Sequence, residues 1–118
     1  MNLEGVRSYC LALPGVVEET PFGPDFLVYK VAGKMFAGIN IARLPLSVNL
    51  KCDPERAVEL RERYLEITPG YHMNKRHWNT LDLSGRLPTS LVRELIDHSY
   101  GLVRASLPRK ARETLHRQ

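Results

Sequence analysis

The stretch "PGYHMNKRHWNT", residues 69–80, places two histidines, two adjacent cations, a tyrosine and the only tryptophan of the chain within twelve positions. Metal ligation, acid–base catalysis, contact with nucleic acid and the packing of a β-hairpin tip all draw on such residues. His72 and His77 are five apart, and a metal site needs at least a third ligand. Cys10 and Cys52 read as buried and His98 falls on another element, so neither a metal nor a cofactor is expected. No nucleophile elbow, phosphate-cradling glycine loop or paired-histidine zinc helix occurs. Catalysis would need a deep pocket around His72, His77 and Asp82; with no catalytic motif, the chain reads as non-enzymatic. Lys75-Arg76, beside Asn74, suit a hairpin tip that grips phosphates while its strands hold it in place.

The elements that would position these residues can be read from periodicity. Leu3, Val6, Cys10 and Leu13 share one face of a helix with Asn2 as N-cap, and Pro14-Gly15 ends it. "VVEETPFGPD" reads as loop, or at best an edge strand, with Glu18, Glu19 and Asp25 forming a small solvated acidic patch. From 26 to 52 the period becomes two: "FLVYKV" and "KMFAGINIA" flank a tight turn at Ala32-Gly33, and "LSVNLKC" follows a second turn at Arg43-Leu44-Pro45. "DPERAVELRERYLE" opens a helix with Asp53 as N-cap and Pro54 at the first position. "HWNTLDL" alternates as another strand, "PTSLVRELIDHSYGLVRASL" is a long amphipathic helix, and "PRKARETLHRQ" a short basic one. The order α-β-β-β-α-β-α predicts an α+β fold, an antiparallel sheet with helices packed on one face.

With 118 residues, 43% of them hydrophobic, one core suffices, so residues 1–118 read as a single domain without a linker. No run approaches the roughly 20 apolar residues that cross a bilayer. The N-terminus lacks a basic leader followed by an apolar block, and the two cysteines are far apart and outside CxxC spacing. The expectation is a cytoplasmic protein with reduced thiols and no membrane association. The net charge of +4 is unevenly spread. Residues 26–52 hold Lys30, Lys34, Arg43 and Lys51 with no acid, and residues 98–118 hold Arg104, Arg109, Lys110, Arg112 and Arg117 against Glu113. Such a bias is compatible with an anionic partner and equally with a solvated basic surface.

Strand parity then assigns faces. Leu81 and Leu83 point to the core and take Asn79 with them, while Trp78, Thr80 and Asp82 face away. Met35, Ala37, Ile39 and Ile41 are expected in the core, leaving Phe36, Gly38 and Asn40 outward. The open face would therefore display Trp78, Phe36, Asn40, Asn49 and Lys51, with Lys34 at the hairpin. Aromatic rings among amides and cations suit base stacking with phosphate pairing, or a planar or polypeptide ligand. Trp78 could equally pack beneath the loop Pro69–Arg76.

Several stretches together resemble the MmcQ/YjbR family of small bacterial proteins, nearly end to end. They are "LPGVVEETPFG", "VAGKMFAGI", "LKCDPERAVEL", "PGYHMNKRHWNTLDL" and "SYGLVRASLPRKAR". The resemblance implies a fold similar to the CyaY/frataxin group and a DNA-binding role attributed to a double-wing arrangement of β-hairpins. It implies wing residues Lys34, Lys75 and Arg76, with Lys51, Trp78 and Asn79 at matching positions; for Asn79 it runs against the parity above. Iron handling is not expected, because the chain lacks a dense acidic helix and its net charge is positive. The leading expectation is a DNA-binding protein with phosphate contacts from Lys34, Lys75 and Arg76, supported by Lys51 and the basic tail residues Arg109, Lys110 and Arg112. The rival is a module that binds a protein or small ligand on the open face around Trp78 and Phe36. An edge strand leaves room for a homodimer.

Overall fold

The first helix, α1 (Leu3–Leu11), opens at Asn2, whose side-chain oxygen accepts from the Gly5 N–H at 2.8 Å. An orphan donor of the first turn is thereby satisfied. Val6 and Cys10 are its buried residues. The computed structural model describes residues 1–116; Arg117, counted above among the C-terminal cations, lies outside them. Six strands follow in two groups around the second helix: β1 (Val16–Glu19), β2 (Phe26–Val31), β3 (Lys34–Asn40) and β4 (Ser47–Lys51), then α2 (Pro54–Arg63), β5 (Ile67–Pro69) and β6 (Trp78–Asp82). The chain ends with α3 (Thr89–Ala105) and α4 (Arg109–His116). Among the described residues no helix is long and apolar enough to cross a membrane.

The strands form one antiparallel sheet in the order β1-β2-β3-β4-β6-β5. The expected α+β architecture is present, with α3 lying against β2, β3 and β4. Val6 and Cys10 from α1, Ala57 and Leu60 from α2, and Val92, Leu95, Ile96 and Val103 from α3 close over Tyr29, Ile39, Val48, Leu50 and Leu81 in one core. The acidic stretch after α1 is an edge strand. Strand β5 has no counterpart in the sequence reading, which carried the second helix on to Glu66. Tyr64 leaves the helix with extended backbone (φ −123°, ψ 122°), and only Ile67 of the next strand is buried. A three-residue strand with one buried side chain has no period to detect. Pro69 is tolerated there because β5 is an edge strand.

The parity assigned to β3 is corrected at its start. The register pairs Lys30 with Met35 and Tyr29 with Ala37, so Phe36 is an extra residue, a β-bulge. Phe36 and Ala37 therefore both turn to the helices, and Met35 moves to the opposite face. Phe36 is fully buried and meets Tyr100 of α3 edge to face, with ring centroids 5.4 Å apart. It cannot serve the open face as expected. Beyond the bulge Gly38 and Asn40 do face outward, paired with Val28 and Phe26.

Candidate functional site

Register decides which of the predicted contact residues come together. Lys34 begins β3 just after the turn at Ala32 and Gly33, both of which have positive φ (48° and 80°). Consecutive positive φ values are the geometry that matches the twist of a two-residue hairpin. Because β3 and β4 run antiparallel, Lys51 at the end of β4 lies at the same end of the sheet. Trp78 pairs with Lys51, so the loop 70–77 between β5 and β6 leaves from that end too. Two hairpins, β2–β3 and β5–β6, thus flank β4 with their tips on one side.

The cations at this end lack acidic partners. Among the described residues Lys34, Lys51, Lys75 and Arg76 form no ion pair, whereas Arg7, Lys30, Arg56 and Arg109 are all held by carboxylates. Lys34 reaches the Ser106 hydroxyl at 3.5 Å, which brings the start of α4 toward the β2–β3 tip. Arg76 lies beside Glu55 and Glu59 of α2 in a shallow groove. Arg109 is paired with Glu113 at 3.0 Å, so among the described residues Lys110 and Arg112 are the tail cations without an ion pair.

The loop that carries Lys75 and Arg76 is ordered by its own sequence. The side-chain oxygen of Asn74 accepts from the N–H groups of Arg76 (3.0 Å) and His77 (3.3 Å), closing a local turn. Lys75 donates to the Gly70 carbonyl at 3.3 Å. Gly70 donates to the Trp78 carbonyl at 2.8 Å, and a Cβ on Gly70 would lie 2.7 Å from the Trp78 Cβ. Trp78 is half-buried on the open face as expected, and its backbone braces the base of this loop. Asn79 is the exception among the predicted contacts. It is 1% exposed and donates to the Ala57 carbonyl under α2, with its side-chain oxygen unpartnered. Parity, not resemblance, describes its position, and it offers no surface for a ligand.

The open face itself is partly roofed. Residues 71–73 fold back from the hairpin, and the Tyr71 N–H donates to the Thr80 hydroxyl at 2.9 Å. That hydroxyl donates to the Asn49 side-chain oxygen at 2.6 Å, and the Asn49 amide reaches the Tyr71 carbonyl at 3.5 Å. Asn49, expected on display, is consequently only 7% exposed. The roof makes one wall of a cleft of about 500 Å³. The opposite wall is the β1–β2 loop with Phe22; the floor is Phe26, Met35, Gly38, Asn40, Ser47 and Asn49. Arg43 stacks its guanidinium over the Tyr71 ring, 3.5 Å from the centroid. His72 lines the cleft, but His77 and Asp82 do not, so the three residues a catalytic pocket would require are not assembled. Among the described residues no group of three His, Cys, Asp or Glu could hold a metal ion.

The acidic patch is also redistributed. Glu18 turns to the helix side, where Arg7 donates to both its oxygens at 3.0 Å and Tyr29 donates at 2.6 Å. The Arg7 hydrogen bond holds the Glu18 carboxyl below the usual range, against the opposing effect of burial. Glu19 faces the other side and pairs with Lys30 at 3.0 Å. Cys10 is buried and free, its thiol pushed up to about 12 by burial, so it is inert as a nucleophile. Sequence reasoning missed the cleft residues Phe22, Phe26, Arg43 and Tyr71. The available signal was an aromatic residue set among prolines and glycine in "TPFGPD", a composition that gives no core position to Phe22, which is 74% exposed.

Comparison with known proteins agrees with the motifs. The chain is 39% identical over 100 residues to the protein YbdF of Escherichia coli O157:H7, covering 85% of this chain and 82% of that one. It is 33% identical over 115 residues to YjbR of Escherichia coli K12, covering 98% of both. Among solved structures, the Deinococcus radiodurans protein DR2400, with a DUF419 domain, superposes with a TM-score of 0.91 at 40% identity, over 98% of this chain and 88% of that one. A Pseudomonas syringae protein gives a TM-score of 0.77 at 28% identity, over 86% and 98%. A family model described as YjbR matches residues 11–102, and the chain belongs to the YjbR family.

Proposed function

We propose that this protein binds DNA without catalysing a reaction, gripping the phosphate backbone with the tips of two β-hairpins. The supporting observation is the convergence of Lys34, Lys51 and Lys75-Arg76 on one end of the sheet, none of them in an ion pair among the described residues, with Glu55 and Glu59 of α2 near Arg76 alone. Cations held on short, hydrogen-bonded turns lose little freedom when they meet a phosphate, and their contacts fix position without reading base sequence. Lys110 and Arg112 on α4 add non-specific attraction. Trp78 contributes by holding the β5–β6 loop, and it does so through its backbone.

The test is an anisotropy titration of a labelled random-sequence duplex at several salt concentrations. Three to four phosphate contacts give a slope of log affinity against log salt of about −3 to −4, at about 0.9 per contact. Lys75→Ala with Arg76→Ala is expected to weaken binding and make the slope shallower by about 1–2. Trp78→Leu is expected to leave the slope unchanged. Absence of binding at low salt, or binding indifferent to salt, would overturn the reading.

A further inference from the structure

The cleft on the open face lies between the β1–β2 loop and residues 71–73 of the β5–β6 loop, and none of its lining residues serves the DNA reading. Its lining is unusual in what it leaves unpaired. Phe22 and Tyr71 are large aromatic residues kept 74% and 44% exposed at the mouth. Phe22 leans on Phe26 edge to face at 6.0 Å. The Phe26 ring in turn lies over Gly38, where a Cβ would come within 3.0 Å of its edge carbons. The glycine therefore allows a flat apolar floor, continued by Met35.

The polar groups of the cleft are mostly donors. The Arg43 guanidinium has no ion pair and no hydrogen bond among the described residues; its contact is the face of Tyr71, while the Arg43 backbone N–H donates to the Asn40 carbonyl at 3.3 Å. Stacking covers the guanidinium plane and leaves its in-plane N–H fork available to a carboxylate. Asn40 accepts from the Ala42 N–H with its oxygen, at 3.0 Å, which turns its amide to donation. The Ser47 hydroxyl has no partner among the described residues. Among the lining residues Arg43 is the one Lys or Arg and Asp25 at the rim the one acid. One fixed cation near one carboxylate suits a single negative charge better than a dianion.

We infer that this cleft binds a small planar aromatic monocarboxylate, its ring on the Phe26–Gly38–Met35 floor and its carboxylate on Arg43, with Asn40 and Ser47 donating beside it. The volume of about 500 Å³ is that of a site for a small organic molecule.

The probe is 2-naphthoate, titrated into the full chain without DNA and followed by backbone amide NMR shifts. The expected result is saturable binding with shifts confined to residues 22–26, 35–49 and 71–73. The neutral isostere 2-naphthamide is expected to bind at least about tenfold more weakly, because the charge-assisted bonds to Arg43 are lost. Arg43→Met, which keeps an apolar stem against Tyr71, is expected to remove the preference for the carboxylate. No saturable naphthoate binding, shifts outside the cleft, or equal binding of naphthoate and naphthamide would overturn the inference. Tighter binding of adenosine monophosphate than of naphthoate would overturn it too, in favour of a nucleotide site. The comparison of probes on the unaltered chain stands even if the variant folds poorly.

Discussion

The hydroxyl of Ser99 in α3 donates to the carbonyl of Phe36 in β3, at the position where the β3–β4 ladder stops. The same hydroxyl accepts from the Lys51 N–H at 2.9 Å. The bulge at Phe36 opens the sheet there, and a helix side chain closes the gap. Lys51, one of the four cations at the hairpin end, is held in register by this bridge. Ser99→Ala would leave a buried carbonyl and a partly buried N–H without partners, a cost of about 1–3 kcal/mol. Urea unfolding of the two proteins measures it, and an unchanged midpoint would refute the bridge.

The bulge makes a second prediction that separates neighbouring residues. Phe36→Ala removes a fully buried ring and is expected to destabilise by roughly 3–5 kcal/mol. Met35→Ala, on the half-exposed cleft floor, is expected to cost less than about 2 kcal/mol, the lower end for fully buried methionine. Regular alternation through β3 would give the reverse order.

Thr80 links the loop 70–77 to the sheet through Tyr71 and Asn49. Thr80→Val keeps the shape and strands the Tyr71 N–H and the Asn49 oxygen. A loss of about 1–3 kcal/mol is expected, together with faster hydrogen exchange at the Tyr71 amide. If only global stability fell and that amide kept its protection, the roof would have another support.

His98 joins α3 to the start of α2 by accepting from the Asp53 N–H at 3.1 Å. Burial, then the charge of Arg56, lowers its pKa below the ordinary 6.5, while Asp53 and Glu94 act the other way. The fold therefore holds the neutral imidazole. The stability it contributes is fully present above pH 6.5 and is lost as pH falls from there toward the folded-state value, because the unfolded chain takes up a proton that the folded chain resists. Thermal unfolding between pH 8 and 5 is expected to show a fall that His98→Gln makes shallower. Parallel curves for the two proteins would exclude this contribution.

The sequence by itself determined the local chemistry. Asn2 and Asp53 cap their helices as their types require, Ala32-Gly33 turns the hairpin, and the alternation in β4 and β6 assigns Val48, Leu50 and Leu81 to the core. It also supplied the motifs by which the family is recognised. Tertiary structure alone decided where Phe36 points, since a bulge shifts parity by one residue and depends on how β3 pairs with β2, not on β3 itself. It decided that Asn49 is roofed and Asn79 buried, because both depend on elements about 20 residues or more away in the chain. It also gathered Lys34, Lys51 and Lys75 at one end and Arg43 onto Tyr71 at the cleft. Periodicity reports which face of an element is apolar; only strand order and register report which of those faces, and which ends, become neighbours.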